Sequence, residues 1–411
     1  MIMSKKNTEK LNYYCMMLEG ALNTIGVNLL GVTTLIPLFL QTYGANMKVV
    51  GLVSALAASL PMIVPIFVGD LVSMAKSKRQ FIIRVNSVGR GMIIIMAPVL
   101  ILHLEQKIVV IIFICIFSLF YIVQATTGLA WTDLLGKAVA PSKRGYLLGN
   151  LQVIAGVASV VASYFVKIVL DSGTLLVNQK YAIIFGLSGT LLLSTVLAMI
   201  PLREPFDKTT CISTKRIRQY FNNILACFNN KSFKIMTLTL MCSTAASSGL
   251  SFIFLFAKNT LNISPNNISG MFVIQTLGSI AGGLLYGKIF TLFGSKYVIQ
   301  LSEISALLIP LLSLSTYMIY NDLFIMYIVA FLMGIKNGGM LGYTNYLIEI
   351  LDEDLRVHGM VARSTLTSPF TFLNFFAGIL VDTFGIIPLF ILQIGISTVT
   401  VIFTFLLKAN T

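Results

Sequence analysis

What most constrains this chain is a series of apolar segments, each long enough to cross a bilayer, that runs from one end to the other. They fall near 11–40, 48–69, 81–102, 108–131, 145–167 and 181–201, and then near 234–257, 268–290, 297–320, 323–347, 360–381 and 386–407. A bilayer span takes about 20 apolar residues of helix. A helix satisfies its own backbone hydrogen bonds, which hydrocarbon cannot do for it. Only 11% of the 411 residues are charged and 56% are hydrophobic, too few charges to cover a water-facing surface of this length. The reading is an all-α polytopic membrane protein with twelve transmembrane helices. A cytosolic enzyme, a disulfide scaffold and a disordered chain are excluded. The first segment is too long for a signal-peptide core and contains Glu19, so it is read as span 1.

The longest polar stretch, Leu202 to Lys231, divides the chain into six spans and six spans. The expected organisation is a bundle over 1–201, a basic linker over 202–232 and a second bundle over 233–411. The other connections are short, which predicts antiparallel neighbours packed side by side. Net charge is +14. The positive-inside rule accounts for it better than nucleic acid does, since basic residues crowd the cytoplasmic ends of spans. With the N-terminus inside, 22 of the 29 Lys and Arg fall on cytoplasmic segments and flanks, Arg363 among them, and 5 on the other side. Both termini are therefore expected in the cytoplasm, with the protein multi-pass in the cell membrane. The five cysteines and two histidines, His103 and His358, form no metal-ligand spacing, so no metal or cofactor is expected.

The loop after span 4 begins Trp131-Thr132-Asp133 and reaches Arg144. The loop after span 10 begins Tyr343-Thr344-Asn345 and reaches Arg356. The two share one offset of 212 residues, about half the chain, which points to a parallel internal repeat of the kind found in transporters. The loop after span 2 reads Gly69-Asp70-Leu71-Val72-Ser73-Met74-Ala75-Lys76-Ser77-Lys78-Arg79. The loop after span 8 reads Gly287-Lys288-Ile289-Phe290-Thr291-Leu292-Phe293-Gly294-Ser295-Lys296. In layout and in these loops the chain resembles the major facilitator superfamily, whose signature there is Gly, three residues, Asp-Arg, one residue, Gly-Arg and a basic residue. Ser73 and Thr291 stand where the family has its acidic residue. Pro141-Ser142-Lys143-Arg144-Gly145 is similar to the family's loop between spans 4 and 5. The resemblance implies two pseudo-symmetric six-helix bundles, a central cavity lined by spans 1, 4, 7 and 10, and loop charges that hold the cytoplasmic side closed. On this sequence those gate charges would be Asp70, Asp133, Arg144 and Arg356, with Asp70 as an acceptor for Arg144 and Glu349, Asp352, Glu353 or Asp354 for Arg356. Span 5 lacks the Gly-Pro-x-x-Gly-Gly cluster of many drug exporters.

A charge near the bilayer centre costs about 2.5–3.5 kcal/mol on insertion scales, so charged residues inside spans are candidates for function. Glu19 lies roughly 12 Å into span 1, Arg90 roughly 15 Å into span 3 and Lys336 roughly 16 Å into span 10, at 1.5 Å per residue. Glu303 is shallower, in span 9. By the resemblance Glu19 and Lys336 face the cavity, while Arg90 and Glu303 are structural ion-pair residues. Two readings of Glu19 stand: a carboxylate that loads and releases a proton, or an ion pair with Arg90. Lys336 either anchors an anionic substrate group or switches with Glu19, or else it pairs with Glu303 or snorkels to the cytoplasm. Asn23 follows Glu19 on the same helical face. With Gln124, Ser247 and Asn337 it fills out the candidate cavity or, equally, interhelical hydrogen bonding. Glycine pairs at Gly145/Gly149, Gly278/Gly282, Gly283/Gly287, Gly334/Gly338 and Gly338/Gly342 carry the spacing of close helix contacts.

No Walker A sequence, HExxH or nucleophile–base set is present, which argues against an ATP-driven pump and an enzyme. The expected function is a secondary transporter that moves a small molecule by alternating access as a monomer, coupled to protons, with export favoured over uptake. A lipid or amphiphile flippase of the same fold is the alternative, and a membrane-embedded enzyme a further one.

Overall fold

A computed structural model describes residues 5–102, 104–204, 225–318 and 322–408. Among these residues the structure is helical throughout. Eleven helical stretches are long and apolar enough to cross a membrane, and the bent pair in span 1 makes a twelfth. In chain order the spans are span 1 (Lys5–Leu30 and Leu35–Thr42), span 2 (Met47–Met74), span 3 (Lys78–Gly89 and Met92–Ile101), span 4 (Gln106–Ala138), span 5 (Pro141–Asp171) and span 6 (Val177–Met199). After the linker come span 7 (Lys231–Ala246, a 3-10 turn Ser247–Phe252, and Ile253–Asn259), span 8 (Pro265–Phe293), span 9 (Ser295–Met318), span 10 (Leu323–Asn337 and Met340–Ile350), span 11 (Glu353–Thr371 and Leu373–Phe384) and span 12 (Ile386–Leu406). Most of the linker, 205–224, lies outside the described residues. Large apolar side chains such as Leu197, Leu284 and Ile402 stand exposed along the spans, which suits hydrocarbon and not water.

Several spans read as single segments are broken. Span 1 bends by 44° at Gly31, where φ is +51°, a left-handed value that favours glycine. Span 3 turns at Arg90-Gly91, span 10 at Gly338-Gly339 and span 11 at Phe372. In span 7 the serine-rich stretch tightens into the 3-10 turn. There the Gln393 side chain from span 12 lies against Gly249 and donates to the Ala246 carbonyl at 2.9 Å.

Span starts are fixed by caps. Ser77 accepts from the Gln80 amide at 3.2 Å. The Glu204 carboxylate accepts from the Lys78 and Arg79 amides, at 2.9 and 3.0 Å, and from the Ser77 hydroxyl at 2.6 Å. An acid at a helix N-terminus also meets the positive end of the helix dipole. Asn230 caps span 7 through the Ser232 and Phe233 amides and donates to the Ile350 carbonyl at 2.7 Å. Gly294 and Gly385, with φ of +91° and +82°, end spans 8 and 11.

The chain divides into two compact units: Met1–Ala45 with Leu60–Cys211, and Asn46–Ser59 with Ile212–Thr411. The boundary therefore differs from the expected 1–201 and 233–411, because the first half of span 2 packs with the C-terminal residues. The Met47 and Lys48 amides donate to the two oxygens of Asp382 at 2.9 Å each, and Ser54 bonds Ser251 at 3.0 Å. In the N-terminal unit span 1 packs against spans 5 and 6, and span 3 against spans 4 and 6. The C-terminal unit repeats this with span 7 on 11 and 12, and span 9 on 10 and 12. Span 1 thus takes its main partners from the far end of its own half rather than from span 2, the sequential neighbour expected from the short loop.

Spans 8 and 10 form the closest seam. A Cβ on Gly278 would meet the Phe331 carbonyl, and one on Gly334 would meet the backbone of Gln275, Gly278 and Ser279. The pair Gly283/Gly287 differs: a Cβ at either position meets nothing within 4 Å, so that spacing makes no contact, having fallen on an open face. Gly334→Val is expected to cost about 3 kcal/mol or more through overpacking, while Gly283→Val leaves stability unchanged. Thermal unfolding of the purified variants checks the contrast.

Candidate functional site

Helical spacing places the polar residues of three spans on facing sides in the N-terminal unit. Glu19 and Asn23 are one turn apart on span 1, Asn86 and Arg90 one turn apart on span 3, and Gln124, Thr127 and Trp131 follow one face of span 4. Arg90 sits at the break of span 3, 4% exposed. Its Nη1 donates to Glu19 Oε1 at 2.8 Å and to the Thr195 hydroxyl of span 6 at 2.6 Å. Its Nε and Nη2 donate to Gln124 Oε1 at 3.2 and 3.0 Å. The Gln124 amide passes the chain on to Asn23 Oδ1 at 2.8 Å. The pair is sealed, with Glu19 only 3% exposed. In such surroundings the attraction offsets a large desolvation cost, and losing either partner costs about 3–5 kcal/mol.

This network forms one wall of a cavity of about 240 Å³ lined by Glu19, Asn23, Asn86, Arg90, Gln124 and Trp131, with further apolar and small residues. Arg90, expected to be structural, is therefore both an ion-pair residue and a cavity residue. Sequence reasoning passed over Thr195, Asn86 and Trp131. The signal for Asn86 was the four-residue step to Arg90. For Trp131 it was its place two turns beyond Gln124. Asn86 Oδ1 and Trp131 Nε1 are buried with no hydrogen-bond partner. A second hollow of about 580 Å³, near Thr42, Gln106 and Asn178 at the other end of the unit, has no charged residue in its lining.

The C-terminal unit carries a related network with its charges exchanged. Glu303 of span 9, 1% exposed, accepts at Oε1 from Lys336 Nζ at 2.7 Å, from the Ser243 hydroxyl at 2.9 Å and from the Tyr343 hydroxyl at 3.2 Å. Lys336 Nζ also reaches Ser243 Oγ at 2.9 Å. The offset of 212 places Lys336 on Gln124 and Tyr343 on Trp131. In one half the base is on span 3 and the acid on span 1; in the other the acid is on span 9 and the base on span 10. Lys336 is thus held by Glu303, within its own unit. Ser247 bonds the Ser243 carbonyl at 2.8 Å across the break in span 7, and Asn337 is exposed.

Arg363 is expected on the cytoplasmic flank of span 11. The helix begins at Glu353, seven residues before the apolar run, and Arg363 lies nearly three turns into it. It is 7% exposed, with Nε and Nη1 buried and without hydrogen-bond partners. Of the candidate gate residues, the side chains of Asp70 and Arg144 lie outside the described residues. Asp133 pairs with Lys137 at 3.1 Å and Lys78 at 3.9 Å. Arg356 donates from Nε to the Leu351 carbonyl at 3.2 Å, while Glu349 accepts from Ser295 at 2.5 Å. Arg356 therefore bonds the turn that starts its own helix, and the side chains of Glu353 and Asp354 lie outside the described residues.

No family model matches the chain, and no curated protein matches it. Solved structures do. A point mutant of the nucleoside transporter NupG is 14% identical, with 98% of this chain and 100% of that one covered and a TM-score of 0.70. A D-xylose-proton symporter is 13% identical over 98% and 97%, with a TM-score of 0.67. A bacterial homolog of the human lysosomal transporter Spinster, inward-facing and unoccupied, is 12% identical over 98% of each, with a TM-score of 0.64. The fold is that of these transporters: the two-bundle, twelve-span architecture implied by the resemblance to the major facilitator superfamily.

A buried guanidinium with two idle donors is a standing cost. Arg363→Met is expected to raise unfolding stability by about 1–3 kcal/mol. Unfolding of wild type and variant in the same detergent measures it, and a lowered midpoint would mean that Arg363 has partners.

Proposed function

We propose that the protein is a secondary active transporter of the cell membrane. It carries a small molecule by alternating access and couples that movement to protons through Glu19. The observation that carries this reading is the buried Glu19–Arg90 pair in the wall of a cavity that also carries Asn23, Asn86 and Gln124. A proton on Glu19 neutralises the carboxylate and leaves Arg90 without its counter-charge. Loading is favourable only when Arg90 has another acceptor or water has reached the site. Proton binding and the state of the cavity are thereby linked through one bond. The D-xylose-proton symporter among the fold neighbours supports a proton as the coupling ion, and the nucleoside transporter supports a small-molecule cargo.

The distribution of Lys and Arg supports both termini on the cytoplasmic side. A cavity of about 240 Å³ with a buried ion pair in its wall suits a small solute better than the acyl chains of a lipid, which favours the transporter reading over the flippase. No nucleophile–base pair lines it, so the reading is transport and not catalysis.

Flux in proteoliposomes under an imposed pH gradient tests the proposal, with orientation read by labelling a cysteine at Asn178 from outside. Glu19→Gln is expected to lose gradient-driven uphill movement by tenfold or more while keeping exchange of substrate down its gradient. The sign of the effective gradient gives export or uptake. Undiminished uphill flux in a folded Glu19→Gln protein would contradict the role given to Glu19.

A further inference from the structure

The cavity of the N-terminal unit has a chemistry narrower than its fold requires. Its two charged residues cancel, with Glu19 and Arg90 2.8 Å apart, and among the described residues no other charged one lines it. A charged ligand would have to break that pair or enter uncompensated, and both are costly in an apolar surround. The polar groups left over are neutral. Asn86 Oδ1 is an idle acceptor and Trp131 Nε1 an idle donor, on two residues that line the same cavity. Buried polar atoms are nearly always paired, so two orphans in one hollow mark groups held ready. Both atoms are buried behind the cavity lining, so a ligand reaches them only if the two side chains turn to meet it. The indole of Trp131, the only tryptophan in the chain, also offers a broad apolar face with its polar handle at the edge. The volume corresponds to about eight waters, the scale of a single-ring solute.

We infer that this cavity binds an uncharged ring molecule bearing hydroxyl or amide groups, which stacks on Trp131, accepts a hydrogen bond from Trp131 Nε1 and donates one to Asn86 Oδ1. The inference rests on the transporter reading for what happens to the cargo afterwards, but binding stands apart from movement. Asn86 and Trp131 are the specificity residues. An analogue without the donor or the acceptor leaves a protein group unpaired, and a site of this kind rejects such analogues strongly. A phosphorylated analogue is rejected because it brings charge to a pair already satisfied.

The lone tryptophan makes the site its own reporter. Purified full-length protein is titrated with D-glucose and uridine, with glucose 6-phosphate and uridine monophosphate as charged comparators. Trp131 emission is followed for the sugars and calorimetry for all four. At least one uncharged probe is expected to bind saturably by millimolar concentration, with its phosphorylated form about tenfold weaker or more. Asn86→Leu and Trp131→Phe are each expected to weaken binding by about tenfold or more. They should also raise the melting temperature of the unliganded protein, since each removes an orphan. A merely structural role for these residues would lower that temperature instead. The inference is overturned if neither uncharged probe binds, if the charged forms bind as tightly, or if both variants bind like wild type. Saturable binding without uphill flux would keep this site and remove the transporter reading. Uphill flux of a charged solute with no binding of uncharged ones would do the reverse.

Discussion

Glu19 is a carboxylate about 12 Å inside an apolar helix, and the Arg90 guanidinium 2.8 Å away offsets its desolvation. Much of the N-terminal unit is organised around that bond. Span 3 breaks at Arg90, which lets one side chain reach spans 1, 4 and 6 together. Gln124 takes the remaining donors and hands its own amide to Asn23, and Thr195 closes the set from span 6. Four spans are tied through one guanidinium, and the space they leave becomes the cavity. An apolar packing of the same helices would have no reason to stop short of closing it.

The second unit reaches a comparable solution by another route. Glu303 collects three donors on one oxygen, from spans 7 and 10, so the acid is the hub there and the base the spoke. Each half keeps one buried ion pair while changing which spans carry the acid and the base. The exchange leaves an imbalance. The N-terminal network pairs one acid with one base, whereas in the C-terminal unit Arg363 adds a cation whose Nε and Nη1 have no partner among the described residues.

The spans were legible in the sequence because apolar runs of bilayer length have few other outcomes, and the chain order of the two halves was legible from the offset of 212. Both ion pairs stood among the sequence alternatives, Glu19 with Arg90 and Lys336 with Glu303, because buried charges need partners. The breaks were not legible. Gly31, Arg90-Gly91 and Phe372 each lie inside what the sequence reads as one continuous span. The start of span 11 was not legible either: its helix extends through a polar turn from Glu353, ahead of the apolar run. Asn86 and Trp131 gained meaning only when the structure left their polar atoms without partners. The assignment of Asn46–Ser59 to the C-terminal unit rests on hydrogen bonds from Met47 and Lys48 to Asp382, which no local pattern announces.

The organising role of the Glu19–Arg90 bond is open to direct measurement by a double-mutant cycle on unfolding stability with Glu19→Gln, Arg90→Met and the two combined. If the pair organises the unit, each single variant loses about 3–5 kcal/mol. The double variant is then less destabilised than their sum by about 2 kcal/mol or more. Losses that add to within about 0.5 kcal/mol would show that the two residues act independently, and the network would lose its centre.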